Sequence, residues 1–163
     1  MIPPANHSEL LTVRVSREIN APREAVFDAW VIPELRCSWW KNYKGEPPTH
    51  CEIDGRVGGK YCVRQIGGGT DDCGPEGYEW EMSGEFVEFE RPTRLAFTWN
   101  VNHPDERETD QLVTIDFEET AVGTRVTITH ERIIGTELRD GINGGWTNAL
   151  KDLAGMLEDG NQS

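Results

Sequence analysis

Apolar and polar residues alternate with a period of two over most of this chain, interrupted by three stretches of helical spacing. The alternation starts at Leu11. Leu11, Val13, Val15 and Ile19 share one face, and Thr12, Arg14, Ser16 and Glu18 the other, the mark of a half-buried strand. Asn20-Ala21-Pro22 ends it. Pro22 suits the first turn of a helix whose apolar side is Ala25, Val26, Ala29 and Trp30. Pro33 breaks that helix and opens a shorter one ending at Trp39-Trp40. Thr49 to Asp54 and Lys60 to Ile66 are short strands joined by Gly55-Arg56-Val57-Gly58-Gly59, a hairpin signal. Tyr78 to Glu90, with Tyr78, Trp80, Met82 and Phe86 on one side, is a long strand, and Leu95, Phe97 and Trp99 mark the next. Val113, Ile115 and Phe117, then Val126 and Ile128, mark two more, within Leu112–Glu118 and Thr124–His130.

The longest helical stretch is Thr136 to Glu158. Leu138, Ile142, Trp146, Ala149, Leu150, Leu153, Met156 and Leu157 recur at three- and four-residue steps and form one stripe. Thr136 is the expected N-cap. Gly144, Gly145 and Gly155 each weaken such a helix, and close approach to the sheet is the expected reason at Gly145. The order is β-α-α-β-β-β-β-β-β-α. Six consecutive strands with short connections form an antiparallel meander with one wet face. An α+β fold follows, with the sheet curved around the last helix. Residues 1–10 read as a loose tail and 11–158 as a single domain. Gly67 to Glu76 reads as a loop.

Composition narrows the classes. The 163 residues carry 29 acidic against 16 basic side chains, a net charge of −13. That balance excludes nucleic acid and anionic membranes as partners, since phosphate recognition needs clustered Lys and Arg. No apolar run is long enough to span a bilayer, and the N-terminus is not a signal peptide, so the reading is a cytoplasmic protein. Cys37, Cys51, Cys62 and Cys73 show no C-x-x-C spacing, and His7, His50, His103 and His130 no H-x-x-x-H pair. Neither a metal nor a cofactor is expected. A turn at Gly55–Gly58 would set Cys51 opposite Cys62 as unbonded cross-strand neighbours.

Several motifs, in order, resemble the SRPBCC superfamily (the START-like, helix-grip fold), and more narrowly the family named for the activator of heat-shock protein 90 ATPase. They are Ala21-Pro22-x-x-x-Val26-Phe27-x-x-Trp30, Trp39-Trp40 and Asp54-x-Arg56-x-Gly58-Gly59-x-Tyr61. Further along come Gly84-Glu85-Phe86, Arg94-Leu95-x-Phe97-x-Trp99 and Gly123-Thr124-x-Val126-x-Ile128-x-His130. The last is Asp140-Gly141-x-x-x-Gly145-Trp146-x-x-x-Leu150. The resemblance implies a sheet of about seven strands that grips the C-terminal helix and leaves a cavity between them. Inward positions here would line it: Trp39, Trp40, Tyr61, Trp80, Met82, Phe97, Trp99, Val113, Ile115, His130, Trp146 and Leu150.

The resemblance implies binding of a hydrophobic small molecule or lipid in that cavity. A second class is a small-molecule enzyme of the polyketide cyclase or dehydratase type, for which only His130, Tyr61 and Arg64 offer themselves. His130 is the one candidate for acid–base chemistry, set against a histidine merely hydrogen-bonded at a strand end. A third class is a co-chaperone-like interaction domain with a chaperone partner. Trp39 and Trp40 either close the core or stand at the cavity mouth, where an indole N–H meets water or a ligand. The sequence leaves a homodimer open.

Overall fold

The computed structural model describes residues 10–41, 46–66, 79–102 and 109–161, with backbone alone for 159–161. The expected 67–76 loop with Cys73, the 1–8 part of the tail, and Tyr78 lie outside the described residues. Along the chain run β1 (Leu11–Ile19), α1 (Arg23–Val31), α2 (Pro33–Trp39), β2 (His50–Ile53) and β3 (Lys60–Ile66). Then follow β4 (Glu79–Glu90), β5 (Arg94–Val101), β6 (Gln111–Glu119), β7 (Thr124–Ile133) and α3 (Thr136–Asn161). The seven strands form one antiparallel sheet in the order β1-β7-β6-β5-β4-β3-β2. Only β1 leaves the meander, pairing with β7 after both short helices have intervened.

The curved sheet closes on its helices at both ends. The long helix α3 lies against β1 and β7, α1 against β6, and α2 against β2 and α3. This is the helix-grip arrangement that the resemblance implies. Leu138, Trp146, Leu150 and Leu153 are buried along α3, while Asn143, Asn148, Lys151 and Asp152 stay exposed, so the stripe faces the sheet as its spacing requires. Thr136 is the first helical residue rather than the cap. Gly135, at φ 92, stands before it, and its carbonyl accepts from Arg139 N–H at 3.1 Å. Gly145 does not approach the sheet either: it is exposed, and a Cβ built there meets nothing within 4 Å. Nothing in the structure explains the glycines at 144, 145 and 155.

Two bulges reverse the inward parity of their strands. In β4 the register shifts between Phe86 and Glu88. Phe89 therefore turns inward beside Phe86, its ring 5.4 Å from that of Phe86 and 5.3 Å from Phe27. In β7 one extra residue falls between the partners of Leu11 and Val13, with Arg132 at φ 70. Beyond it Ile133, an odd-numbered residue, is as fully buried as His130. An extra unpaired residue sends all later side chains to the opposite face.

The β2–β3 hairpin corrects the cysteine pairing. Ile53 faces Tyr61, Glu52 faces Cys62 and Cys51 faces Val63, one step from the expected register. The reason is the turn. Asp54 N–H donates to Lys60 O, and Gly58 takes φ 84, so five residues rather than four sit between the paired ends. Only glycine adopts that φ without strain. Cys51 and Cys62 consequently point to opposite faces. The Cys51 thiol instead points inward, and burial pushes its pKa up to about 12. Cys37, Cys51 and Cys62 are free thiols.

Candidate functional site

An array of aromatic rings crosses the interior from α2 to the centre of the sheet. Trp39 lies 5.4 Å from Trp40, Trp40 5.7 Å from Trp146, and Trp146 5.3 Å from Trp99. Trp30 closes the group at 4.8 Å from Trp39 and 5.9 Å from Trp146. The two adjacent tryptophans divide the roles open to them. Trp39 is 1% exposed, and its indole N–H donates to Ala29 O at 2.8 Å, tying α2 to α1. Trp40 is only partly buried, and its N–H donates to Gln65 Oε1 at 3.1 Å. Trp39 closes the core, and Trp40 packs at its margin.

At the sheet end of the array, polar groups are saturated. Trp146 donates its indole N–H to His130 Nδ1 at 2.9 Å, and His130 Nε2 lies 2.7 Å from Gln111 Oε1. An indole N–H can only donate, so Nδ1 carries the lone pair and Nε2 the proton, which it donates to Gln111. His130 and Gln111 are both 0% exposed. Burial lowers the His130 pKa to about 3, so the ring is neutral at physiological pH. Both nitrogens are engaged within the protein.

At the α2 end the donors outnumber the acceptors. Arg36 is 4% exposed, and its guanidinium carbon stands 4.5 Å from the Trp40 ring, 5.4 Å from Trp30 and 5.7 Å from Trp39. Such stacking offsets part of the cost of burying the cation. Its Nη1 donates to Trp30 O at 3.1 Å. Its Nε and Nη2, together with Trp30 Nε1 and Gln65 Nε2, are buried with no partner among the described residues. No carboxylate among those residues pairs with it. Burial lowers its pKa, opposed by the nearby Cys51, Tyr61 and Cys37.

Residues 20–158 match the family described as Activator of Hsp90 ATPase homolog 1-like protein. The chain belongs to this family. No curated protein matches the sequence. Solved structures share its fold at low identity. A protein from Rhizobium leguminosarum has a TM-score of 0.77 at 22% identity, covering 93% of this chain and 96% of its own. The AHSA1-like protein from Aeromonas hydrophila gives 0.72 at 22%, covering 94% and 96%. One from Staphylococcus aureus gives 0.74 at 17%, covering 95% and 98%.

Within this family member, the expected lining residues fall into two connected groups. Trp39, Trp40, Trp99, His130 and Trp146 belong to the indole array, with Trp99 5.5 Å from His130. Tyr61 packs 5.3 Å from Phe97, and its hydroxyl donates to Thr98 O at 2.7 Å. Met82, Val113, Ile115 and Leu150 are buried in the same core, and Trp80 is partly buried at its margin. Arg64, a candidate of the enzyme reading alone, lies on the outer face and pairs with Glu81 at 2.9 Å. A surface depression lined by Asn20, Ala21, Pro22 and residues 119–123 lies where β1, β6 and β7 meet their turns, and no aromatic residue lines it. No helix among the described residues is long and apolar enough to cross a membrane.

Arg36 is not among the site residues expected from the sequence. A signal existed: Arg36, Trp39 and Trp40 stand three and four apart, so one arginine shares a helix face with two tryptophans.

Proposed function

We propose that this protein binds an apolar small molecule or a lipid-derived molecule between its concave sheet and the helices α2 and α3. The observation that carries the reading is the indole array, which runs from buried Trp146 out to partly exposed Trp40. Small-molecule sites favour such walls, largely aromatic with a few polar groups placed among them. Membership of the family and the shared helix-grip fold support the reading. The cyclase-like alternative finds no free acid or base among its candidates. Both His130 nitrogens and the Tyr61 hydroxyl are engaged within the protein, and Arg64 is paired on the outer face. The chaperone-partner alternative rests on the family's description alone.

Native mass spectrometry of protein purified without detergent, followed by titration with the neutral dye Nile red, tests the proposal. The expected result is saturable one-to-one binding with quenching of tryptophan emission. Trp40→Ala should weaken it about tenfold, in proportion to the aromatic surface removed. Absence of both an adduct mass and saturable dye binding overturns it.

A further inference from the structure

The guanidinium of Arg36 is a plane with its neighbourhood largely accounted for. Three indoles lie within 5.7 Å of its central carbon, and the Nη1 atom donates to Trp30 O. What is left is the edge formed by Nε and Nη2, both buried and both without a partner among the described residues. The protein shows elsewhere what that edge takes. In Arg91 the same two atoms hold the Asp28 carboxylate side-on, Nε to Oδ1 and Nη2 to Oδ2, each at 2.9 Å. Two parallel N–H donors match the two oxygens of a carboxylate, and the pair is among the stronger hydrogen-bonded contacts available to a side chain. An uncompensated buried charge is among the more costly features a core can contain.

We propose that Arg36 is the anion anchor of the interior site: the ligand is an apolar monocarboxylic acid whose carboxylate takes the Nε–Nη2 edge, with its body against the indoles. The inference deepens the apolar-ligand reading and rests on it. Charge number selects a carboxylate over a phosphate. One guanidinium edge satisfies one negative charge and two oxygens, whereas a phosphate monoester brings more of both than the corner can meet. The wider field gives no help, because a net charge of −13 opposes any anion. Discrimination in favour of acids must therefore come from Arg36, the one buried cation among the described residues. Trp30 Nε1 and Gln65 Nε2, also unpartnered among the described residues, add donors rather than acceptors to the same aromatic group.

The test compares each acid with its alcohol. Octanoate and octanol represent alkyl bodies, 3-phenylpropionate and 3-phenylpropanol aryl ones, each titrated against tryptophan fluorescence and by calorimetry. The acid of at least one pair should bind wild-type protein about tenfold or more tightly than its alcohol, as charged hydrogen bonds imply. Whichever pair shows the preference identifies the body as alkyl or aryl. Arg36→Met should abolish the preference, bringing the affinity of the acid down to that of its alcohol. Arg36→Lys, which keeps the charge but loses the fork, should retain only part of it, and serves alone if Arg36→Met does not fold. Equal binding of acids and alcohols by wild type, or a preference that survives these substitutions, overturns the anchor while leaving the apolar-ligand reading intact. If neither acids nor alcohols bind wild type and Nile red also fails, the underlying reading falls first.

Discussion

Two buried polar corners flank Trp146, and they differ in one respect that matters more than burial. On one side, His130 and Gln111 are fully enclosed, and the Gln111–His130–Trp146 chain uses every ring nitrogen it contains. On the other, Arg36 is almost as enclosed, yet two of its nitrogens have no partner among the described residues. Burial alone would rank histidine the better candidate for chemistry, since its charge state is so easily shifted. Hydrogen-bond accounting reverses the ranking. A saturated group rigidifies the fold, while an unsatisfied cation in an aromatic enclosure is a standing energetic deficit that a ligand can fill.

The largest expected effect falls at the saturated corner. Trp146→Ala removes the ring between Trp99, Trp30 and Trp40 and leaves His130 Nδ1 without its donor. The loss should be roughly 3–5 kcal/mol, read from urea unfolding. A loss below about 1 kcal/mol would mean that α3 is not seated by this residue.

His130 supplies the pH-dependent part of the contrast. Unfolded histidine binds a proton below its ordinary pKa of 6.5, whereas the buried ring holds out to about 3. Between those values the unfolded chain carries more protons. The ring's contribution is therefore complete above 6.5 and is lost as pH falls towards 3, by about 1.4 kcal/mol per pH unit at most. A proton on Nδ1 would also confront the Trp146 N–H. His130→Asn keeps an acceptor for Trp146 but cannot titrate. Its stability between about pH 7 and pH 5 should fall less steeply than that of wild type. Parallel curves would remove His130 from the acid-sensitive groups.

The open corner should respond in the opposite way. Arg36→Met in ligand-free protein gives up one hydrogen bond and the indole contacts but relieves an unpaired buried charge. The opposing effects should leave a net change within about 1.5 kcal/mol. A loss above about 3 kcal/mol would make Arg36 an architectural cation and erase the difference between the corners.

Most of the architecture was legible in the sequence because strand and helix periods are carried by many residues at once. The face of α3, the edges of β3 and the order of elements all follow from such repeated signals. What escaped depended on single residues. The bulges beside Glu88 and Arg132 leave no mark in an alternation count, yet they turn Phe89 and Ile133 inward. One left-handed glycine, Gly58, moved the β2–β3 register and separated Cys51 from Cys62. The aromatic array was visible as an apolar face, whereas the edge of Arg36 left without a partner among the described residues was not, because hydrogen-bond satisfaction is a property of three-dimensional neighbours. His130 drew notice as an inward histidine, and only its two partners reveal that it is engaged.

The smallest expected effect lies one residue from the largest. Gly145 adjoins Trp146 in sequence but faces solvent, and a Cβ there would meet nothing within 4 Å. It has no positive φ to require glycine, since among the described residues only Gly58 and Gly135 are glycines of that kind. An alanine would therefore keep the helical conformation while reducing the conformational freedom of the unfolded chain. Gly145→Ala should stabilise the protein by roughly 0.5–1 kcal/mol, with acid-versus-alcohol discrimination unchanged. Thermal unfolding measures the first and the octanoate–octanol titration the second. Destabilisation would show that the outer face of α3 is covered in solution. Lost discrimination would show that α3 couples to the Arg36 corner through its backbone, and the contrast between the corners could then no longer be assigned to side chains alone.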